Sequence, residues 1–294
     1  MVPNTNDGSS HPPRLRIDIN ASNLFSLPPT HPFPRKDDRA AFDLVKAAGF
    51  EGVQTNSKAR LVREMGLRVT GSGRVSTPPE AEHHAKLGVD LGCDCYTLHV
   101  GWGIEDDEEA HRLVEAVLSA SHKHRIPMYI ETHRATITQD LWRTVQLTRN
   151  FPEIRFNGDF SHYYTGQELV YGDIGQKFAF MQPIFDRVRF IHGRIGNPGC
   201  IQVDIGDGVG RPYVDHFKEM WTRSFVGFLK SARPGDCLCF TPELLGPENW
   251  YARLFQDAGG DLVEEGDRWE QAQRYARIAR DCWVEAERRV GSRP

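Results

Sequence analysis

Eight short apolar runs alternate with longer amphipathic stretches along this 294-residue chain. The runs are RLRIDIN (14–20), EGVQ (51–54), LRVTGS (67–72), CYTLHV (95–100), PMYIET (127–132), RFNGDF (155–160), RFIHGR (189–194) and CLCFTPE (237–243). Helical patterns lie between them: DDRAAFDLVKAAG, PEAEHHAKLGVDLG, EDDEEAHRLVEAVLSASHKH, TITQDLWRTVQLTRNF and HFKEMWTRSFVGFLKSA. The amphipathic stretch RWEQAQRYARIARDCWVEAERR closes the chain. Eight strands, each with a helical or looped return, give the count and order of an α/β fold, the single-domain (β/α)8 TIM barrel. A doubly wound open sheet is the alternative, but no Gly-rich nucleotide loop follows the first run. Residues 1–13 (MVPNTNDGSSHPP), rich in Asn, Ser and Pro, are expected to form a disordered tail, which leaves 14–294 as the barrel.

Polar residues stand at the ends of four successive runs: Glu131, Asp159, His192 and Glu243. On a barrel strand alternate side chains point inward, and those at the C-terminal end face the mouth. Tyr129, Glu131 and His133 share one face; so do Asn157, Asp159 and Ser161, His192 and Arg194, and Cys239, Thr241 and Glu243. Three carboxylates a few Å apart repel by roughly 1 kcal/mol per pair in water and about 4 near a protein surface. A divalent cation removes that cost. Three oxygens and one imidazole suit Mn²⁺ foremost, with Mg²⁺, Co²⁺ or Zn²⁺ as alternatives. Each residue alone has an ordinary explanation: Asp159 as a cap for the turn after it, His192 as a bonded polar group beneath a loop. Four on consecutive strands make the ordinary explanation weak.

Composition narrows the function classes. A net charge of −4 gives no electrostatic footprint for nucleic acid or an anionic membrane. The polar N-terminus lacks a cationic start and an apolar h-region, and no apolar run approaches the roughly 20 residues of a membrane span. A cytoplasmic protein is expected. The pairs Cys93/Cys95 and Cys237/Cys239 sit in strand-like runs, where alternation puts both members on one face; they read as small buried residues in a reducing compartment. Two long connections, 196–215 and 244–267, contain Gly and Pro and belong on the catalytic rim.

The ordered set Glu131, Asp159, His192 and Glu243, with His162 completing D-F-S-H, resembles the xylose isomerase-like TIM-barrel superfamily over residues 14–289. That group includes sugar phosphate isomerases and epimerases, ketose 3-epimerases, hydroxypyruvate isomerase, inosose dehydratase and endonuclease IV-type repair enzymes. The resemblance implies a divalent-metal-dependent isomerase or epimerase working through a metal-stabilised enediolate on a sugar or polyol-ketone. It implies that Glu131 and Glu243 ligate metal and also move protons, while Asp159 and His192 act as ligands only. His162 and Arg194 would then hydrogen-bond or neutralise the developing oxyanion; the family's arginine sits farther beyond the metal histidine than Arg194 does. A dehydratase of an inosose- or dehydroshikimate-like substrate needs the same base, acid and metal and is the alternative. An abasic-site endonuclease is remote, because the second run, EGVQTN, lacks the histidine that branch uses. Around this centre His99 is expected to contact substrate or support a ligand. His133 and Arg134 are placed to reach a substrate carboxylate or phosphate, or to be salt-bridged on the surface. Trp102 and the other rim aromatics Tyr163, Tyr164, Trp250 and Tyr251 either stack on a sugar face or anchor their loops. A homo-oligomer paired through the rim loops is left open.

Overall fold

The eight strands close into a parallel barrel in sequence order, with β8 returning to β1. They are β1 (Arg14–Asn20), β2 (Gly52–Gln54), β3 (Arg68–Val75), β4 (Tyr96–Val100), β5 (Met128–Glu131), β6 (Phe156–Asn157), β7 (Val188–Gly193) and β8 (Cys237–Pro242). The structure, a computed structural model, describes residues 2–291. Helices return the chain between strands, and several start on an acidic cap. The Asp37, Asp106, Asp140 and Asp173 side chains accept from backbone N–H groups of the first turn, and Thr77 forms a reciprocal capping box with Glu80. Each such cap stabilises its helix by about 1 kcal/mol and fixes where the preceding loop ends. Among the described residues no helix is long and apolar enough to cross a membrane.

Strand alternation sorts the barrel's side chains. Ile17, Ile19, Val53, Leu98, Ile130, Leu238 and Phe240 are buried beneath the helices. Trp221 of the helix Pro212–Leu229 meets Phe240 at 4.9 Å between centroids, and Trp283 of the closing helix Arg268–Gly291 meets Phe225 at 5.5 Å. The opposite faces carry polar groups. Near the barrel floor Arg16, 1% exposed, pairs with Asp18 at 2.7 Å and Asp94 at 2.6 Å, and Arg68 also pairs with Asp94. Gly52 makes room for this network, since a Cβ there would lie 2.6 Å from Asp18 Oδ1.

Residues 2–13 are not the disordered tail expected of them. Val2 and Thr5 are buried, Thr5 N donates to the Tyr129 hydroxyl (2.8 Å), and Cys237 N donates to Thr5 O (2.8 Å). Asn4 Oδ1 accepts from Arg189 (2.8 Å) and Asn6 Nδ2 donates to Asp236 (2.8 Å). The segment thus crosses the barrel's N-terminal end and satisfies polar groups there. A composition argument weighs only how little apolar surface a segment brings, so it misses order supplied by hydrogen bonds.

Other departures are local. β6 is two residues long, with a register shift against β7, because the chain turns at Asp159 to begin the helix Ser161–Gly166. The helix Ile174–Phe185, unannounced by the pattern, contains Pro183 near its end. The connection 244–267 holds a small antiparallel hairpin, β9 (Leu254–Gln256) with β10 (Leu262–Glu264). All six cysteines are free; Cys95, Cys237, Cys239 and Cys282 are buried, while Cys93 and Cys200 are half-buried.

The floor network yields a stability prediction. Asp18→Ala leaves the Arg16 guanidinium buried with one carboxylate partner fewer, and removing one member of a buried pair costs about 3 kcal/mol. A urea titration followed by tryptophan fluorescence should show that loss; an unchanged midpoint would mean Asp94 alone suffices for Arg16.

Candidate metal centre

Glu131 ends β5, Asp159 lies two residues past β6, His192 lies in β7, and Glu243 follows β8. The barrel brings one ligand atom from each of the four to within 4.8 Å of every other. Glu131, Asp159 and His192 are buried and Glu243 is half-buried. His192 Nδ1 is 3.3 Å from Glu131 Oε2 and 3.3 Å from Glu243 Oε2. The other ring nitrogen, Nε2, meets Gln54 Oε1 at 2.8 Å. Gln54 Nε2 donates to Thr97 Oγ1 (2.9 Å) and Asn20 Nδ2 donates to Gln54 Oε1 (2.8 Å), so Gln54 presents an acceptor to His192. The network therefore assigns the proton to Nε2 and turns Nδ1 toward the carboxylates. Such an outer partner is what orients a metal-binding imidazole.

Asp159 does two jobs at once. Its Oδ1 accepts from Ser161 N (3.1 Å) and Ser161 Oγ (2.5 Å), which fixes the turn after β6, while Oδ2 accepts from Arg194 Nη1 at 2.8 Å. Arg194 also pairs with the Glu243 carboxylate and donates through Nε to the Glu243 carbonyl (3.0 Å). Three carboxylates against one guanidinium leave two negative charges, which is the charge of one divalent cation. The donor set, its burial and the fixed tautomer all suit such an ion.

Electrostatics follows from these contacts. Burial alone raises the Glu131 carboxyl, but His99 and His192 outweigh it and hold it well below the usual range. Asp159 is likewise depressed: burial opposes ionisation, and Arg194 and His162 more than compensate. His192 is pushed up to about 9, because Glu243 and Glu131 overcome the cost of burying its charge.

The other expected residues gather around this set. His99 Nε2 meets Glu131 Oε1 at 3.1 Å, so the two oxygens of Glu131 face different imidazoles. Arg74 meets His99 Nδ1 at 3.4 Å and stacks over Trp102, which is 56% exposed, at 3.9 Å. The His133 ring lies between those of His99 (4.1 Å) and His162 (3.7 Å). Burial, with His162 beside it, lowers His133 to about 2, and burial also lowers His162. His162 Nε2 is 3.5 Å from Asp159 Oδ2 and 3.4 Å from Arg194 Nη1, while its Nδ1 is buried with no partner. His99, Glu131 and His133 form a second group of close donors that shares Glu131 with the first. Arg134 is exposed and forms no salt bridge among the described residues; its guanidinium lies 5.2 Å from the Tyr251 ring, which also packs 4.5 Å from Arg194. Tyr163 and Tyr164 are buried and anchor their helix, whereas Trp250 is 91% exposed.

Sequence reasoning did not assign Asn20, Gln54, Asn157 or Arg74 to the site. Asn157 Nδ2 donates to Glu131 Oε2 (3.0 Å) and its Oδ1 accepts from His192 N (3.0 Å). The signal was present: each ends or nearly ends an inward-facing strand, as Glu131, Asp159, His192 and Glu243 end or follow theirs.

No family model matches the chain, and no curated protein matches it in sequence. Solved structures do resemble it. One is an L-ribulose 3-epimerase, with a TM-score of 0.56 and 12% identity over 95% of this chain and 100% of that one. Another is a xylose isomerase-like TIM barrel protein from Mycobacterium smegmatis in complex with magnesium, with a TM-score of 0.54 and 12% identity over 92% and 98%. A third is the probable 3-DHS dehydratase AsbF from Bacillus anthracis, with a TM-score of 0.52 and 13% identity over 79% and 93%. The chain has the fold of the xylose isomerase-like TIM barrels.

A divalent ion ligated by His192 Nδ1 must displace the proton that holds this imidazole charged below about pH 9. Apparent affinity for Mn²⁺ should therefore rise with pH up to that value, with about one proton released per ion bound. Calorimetry in buffers of differing ionisation enthalpy reads this directly; affinity independent of pH between 6 and about 9 would remove His192 from the ligand set.

Proposed function

We propose that this chain is a divalent-metal-dependent isomerase or epimerase of a sugar or related polyol-ketone. The observation that carries the reading is the convergence of Glu131, Asp159, His192 and Glu243 within 4.8 Å at the mouth of the barrel. When bound there, with Mn²⁺ the first choice and Mg²⁺, Co²⁺ or Zn²⁺ the alternatives, a divalent ion supplies Lewis-acid polarisation of a carbonyl. Magnesium in the structurally similar Mycobacterium smegmatis protein supports a divalent ion in this fold.

The remaining chemistry belongs to the side chains. Glu131 and Glu243 approach from β5 and β8, with β6 and β7 between them, so a substrate over His192 meets one carboxylate from each side. One takes the proton from carbon and the other returns a proton to the opposite face or neighbouring carbon. Asn20 and Arg194 hold Glu243, and His99 and Asn157 hold Glu131, so neither carboxylate needs to reorient before reacting. His162 offers its unpartnered Nδ1 to a substrate oxygen, and Arg194 adds a fixed positive charge beside developing oxyanion.

His162 also favours a second reading. Loss of a hydroxyl from an inosose- or dehydroshikimate-like substrate uses a proton-transfer group besides the base, and the similar fold of a named dehydratase, AsbF, is consistent with it.

Ketoses incubated in D₂O with the metal-loaded protein separate the two. Deuterium in recovered sugar supports isomerisation, and a new conjugated-enone absorbance supports dehydration. Glu131→Gln and Glu243→Gln should each lower exchange by about 10²- to 10⁴-fold, the usual worth of a general acid or base. If both variants keep wild-type metal content and wild-type exchange, the centre is misassigned.

A further inference from the structure

Three arginines near the cluster and its neighbouring cavity are already committed. Arg194 is held by Asp159 and Glu243, and Arg253 by Glu265. Arg74 donates to the Gly101 carbonyl, meets His99 and stacks on Trp102. The Arg134 side chain makes no ion pair and donates no hydrogen bond to any described residue. Its five N–H donors form an open fork whose geometry matches a carboxylate or a phosphate.

The backbone that carries this fork is fixed even though the fork is free. The Arg134 carbonyl is bonded by His133 Nδ1, and Ala135 is held in the left-handed region at φ 53°. Across the cleft Trp250 is also left-handed, at φ 63°, and places Tyr251 against both Arg134 and Arg194. A non-glycine residue in that region costs of order 1 kcal/mol, so two of them beside the residues that form one shelf point to a constrained binding geometry. Arg134, Tyr251, Trp250 and Cys200 line an open cavity of about 470 Å³. The Tyr251 ring that lines this cavity also packs 4.5 Å from Arg194, which pairs with Asp159 and Glu243.

Charge closes the argument. With a divalent ion bound, the three carboxylates are balanced by that ion and Arg194, while His99 faces Glu131 and Arg74 is tied to the Gly101 carbonyl and the Trp102 ring. Arg134 lies outside this set with its fork unpaired among the described residues.

We infer that the substrate carries an oxyanion, a carboxylate or a phosphate, on the end remote from its reacting carbons, and that Arg134 binds it on the Tyr251 shelf. The inference rests on the metal-dependent isomerase reading above and narrows its substrate class. Neutral sugars leave the fork unused; sugar acids or sugar phosphates fill it.

Three probes of matched carbon skeleton test this: D-fructose, D-fructose 6-phosphate and D-fructuronate. Exchange in D₂O is followed by NMR with metal-loaded wild type, Arg134→Gln and Arg134→Lys. One anionic probe should exchange with higher kcat/KM than D-fructose, and which one responds tells phosphate from carboxylate. Arg134→Gln should raise KM for that probe by about 10- to 100-fold, the worth of a charged bidentate contact, with metal content unchanged and a smaller effect on D-fructose. Arg134→Lys should restore part of the loss. Equal effects on neutral and anionic probes, or none, overturn the assignment and leave the metal-centre reading intact. Calorimetric binding of the same probes is the second readout. Anion binding that is lost in Arg134→Gln, with no exchange by wild type, would keep this inference and sink the isomerase reading.

Discussion

Three carboxylates meet at the mouth of this barrel because the fold leaves them nowhere else to point, and their mutual repulsion organises what surrounds them. Arg194 answers two of them, Asp159 and Glu243, from within the β7 end. His192 stands between the other pairing, Glu131 and Glu243. Neutral dipoles hold the remaining atoms: Asn20 on Glu243, Asn157 on Glu131, Gln54 on His192. The arrangement spans β1, β2, β5, β6, β7 and β8, so it exists only in the closed barrel. That links the site to the fold energetically: opening the sheet anywhere along this arc strands a buried charge.

Polar groups occur along the whole length of the interior, which is uncommon for a barrel whose centre is more often packed with Val, Ile and Leu. Arg16, Asp18 and Asp94 occupy the floor, Thr97 and Gln54 the middle, and the carboxylates the mouth. Cohesion has to come from the other face of each strand, where Ile17, Ile19, Leu98, Ile130, Leu238 and Phe240 meet the helices. Hydrophobic burial and chemistry are thereby assigned to opposite faces of the same strands. Substitutions that adjust the mouth leave the helix-facing layer untouched, and this is how one fold carries different chemistries.

The same division explains what could be read from the chain. RLRIDIN writes both faces at once, with Leu15, Ile17 and Ile19 outward and Arg16, Asp18 and Asn20 inward. The strand count, the rim position of the long connections and the meeting of Glu131, Asp159, His192 and Glu243 were legible for this reason. Pairing across strands was not. Alternation places Arg194 on the inward face but cannot say that it binds both Asp159 and Glu243, because that depends on the register shift and turn after β6. The ordered N-terminal segment escaped for a related reason: Asn4 and Thr5 are fixed by Arg189 and Tyr129, which lie far along the sequence. The helix Ile174–Phe185 was obscured by Pro183 and by apolar residues too evenly spread to mark one face.

The two glutamates look alike in sequence but have different partners. Glu243 is tied to a guanidinium, which stays charged at every accessible pH. Glu131 is held by two imidazoles and an amide: His99 on one oxygen, His192 and Asn157 on the other. His192 lies 3.3 Å from both carboxylates, so the partner that sets them apart is His99, an imidazole whose charge can change, on Glu131, against the permanent charge of Arg194 on Glu243. A carboxylate whose stabilisation can be withdrawn is the better proton acceptor, because its proton affinity rises when its partners lose charge. In the proposed reaction this asymmetry favours Glu131 over Glu243 as the group that takes the first proton.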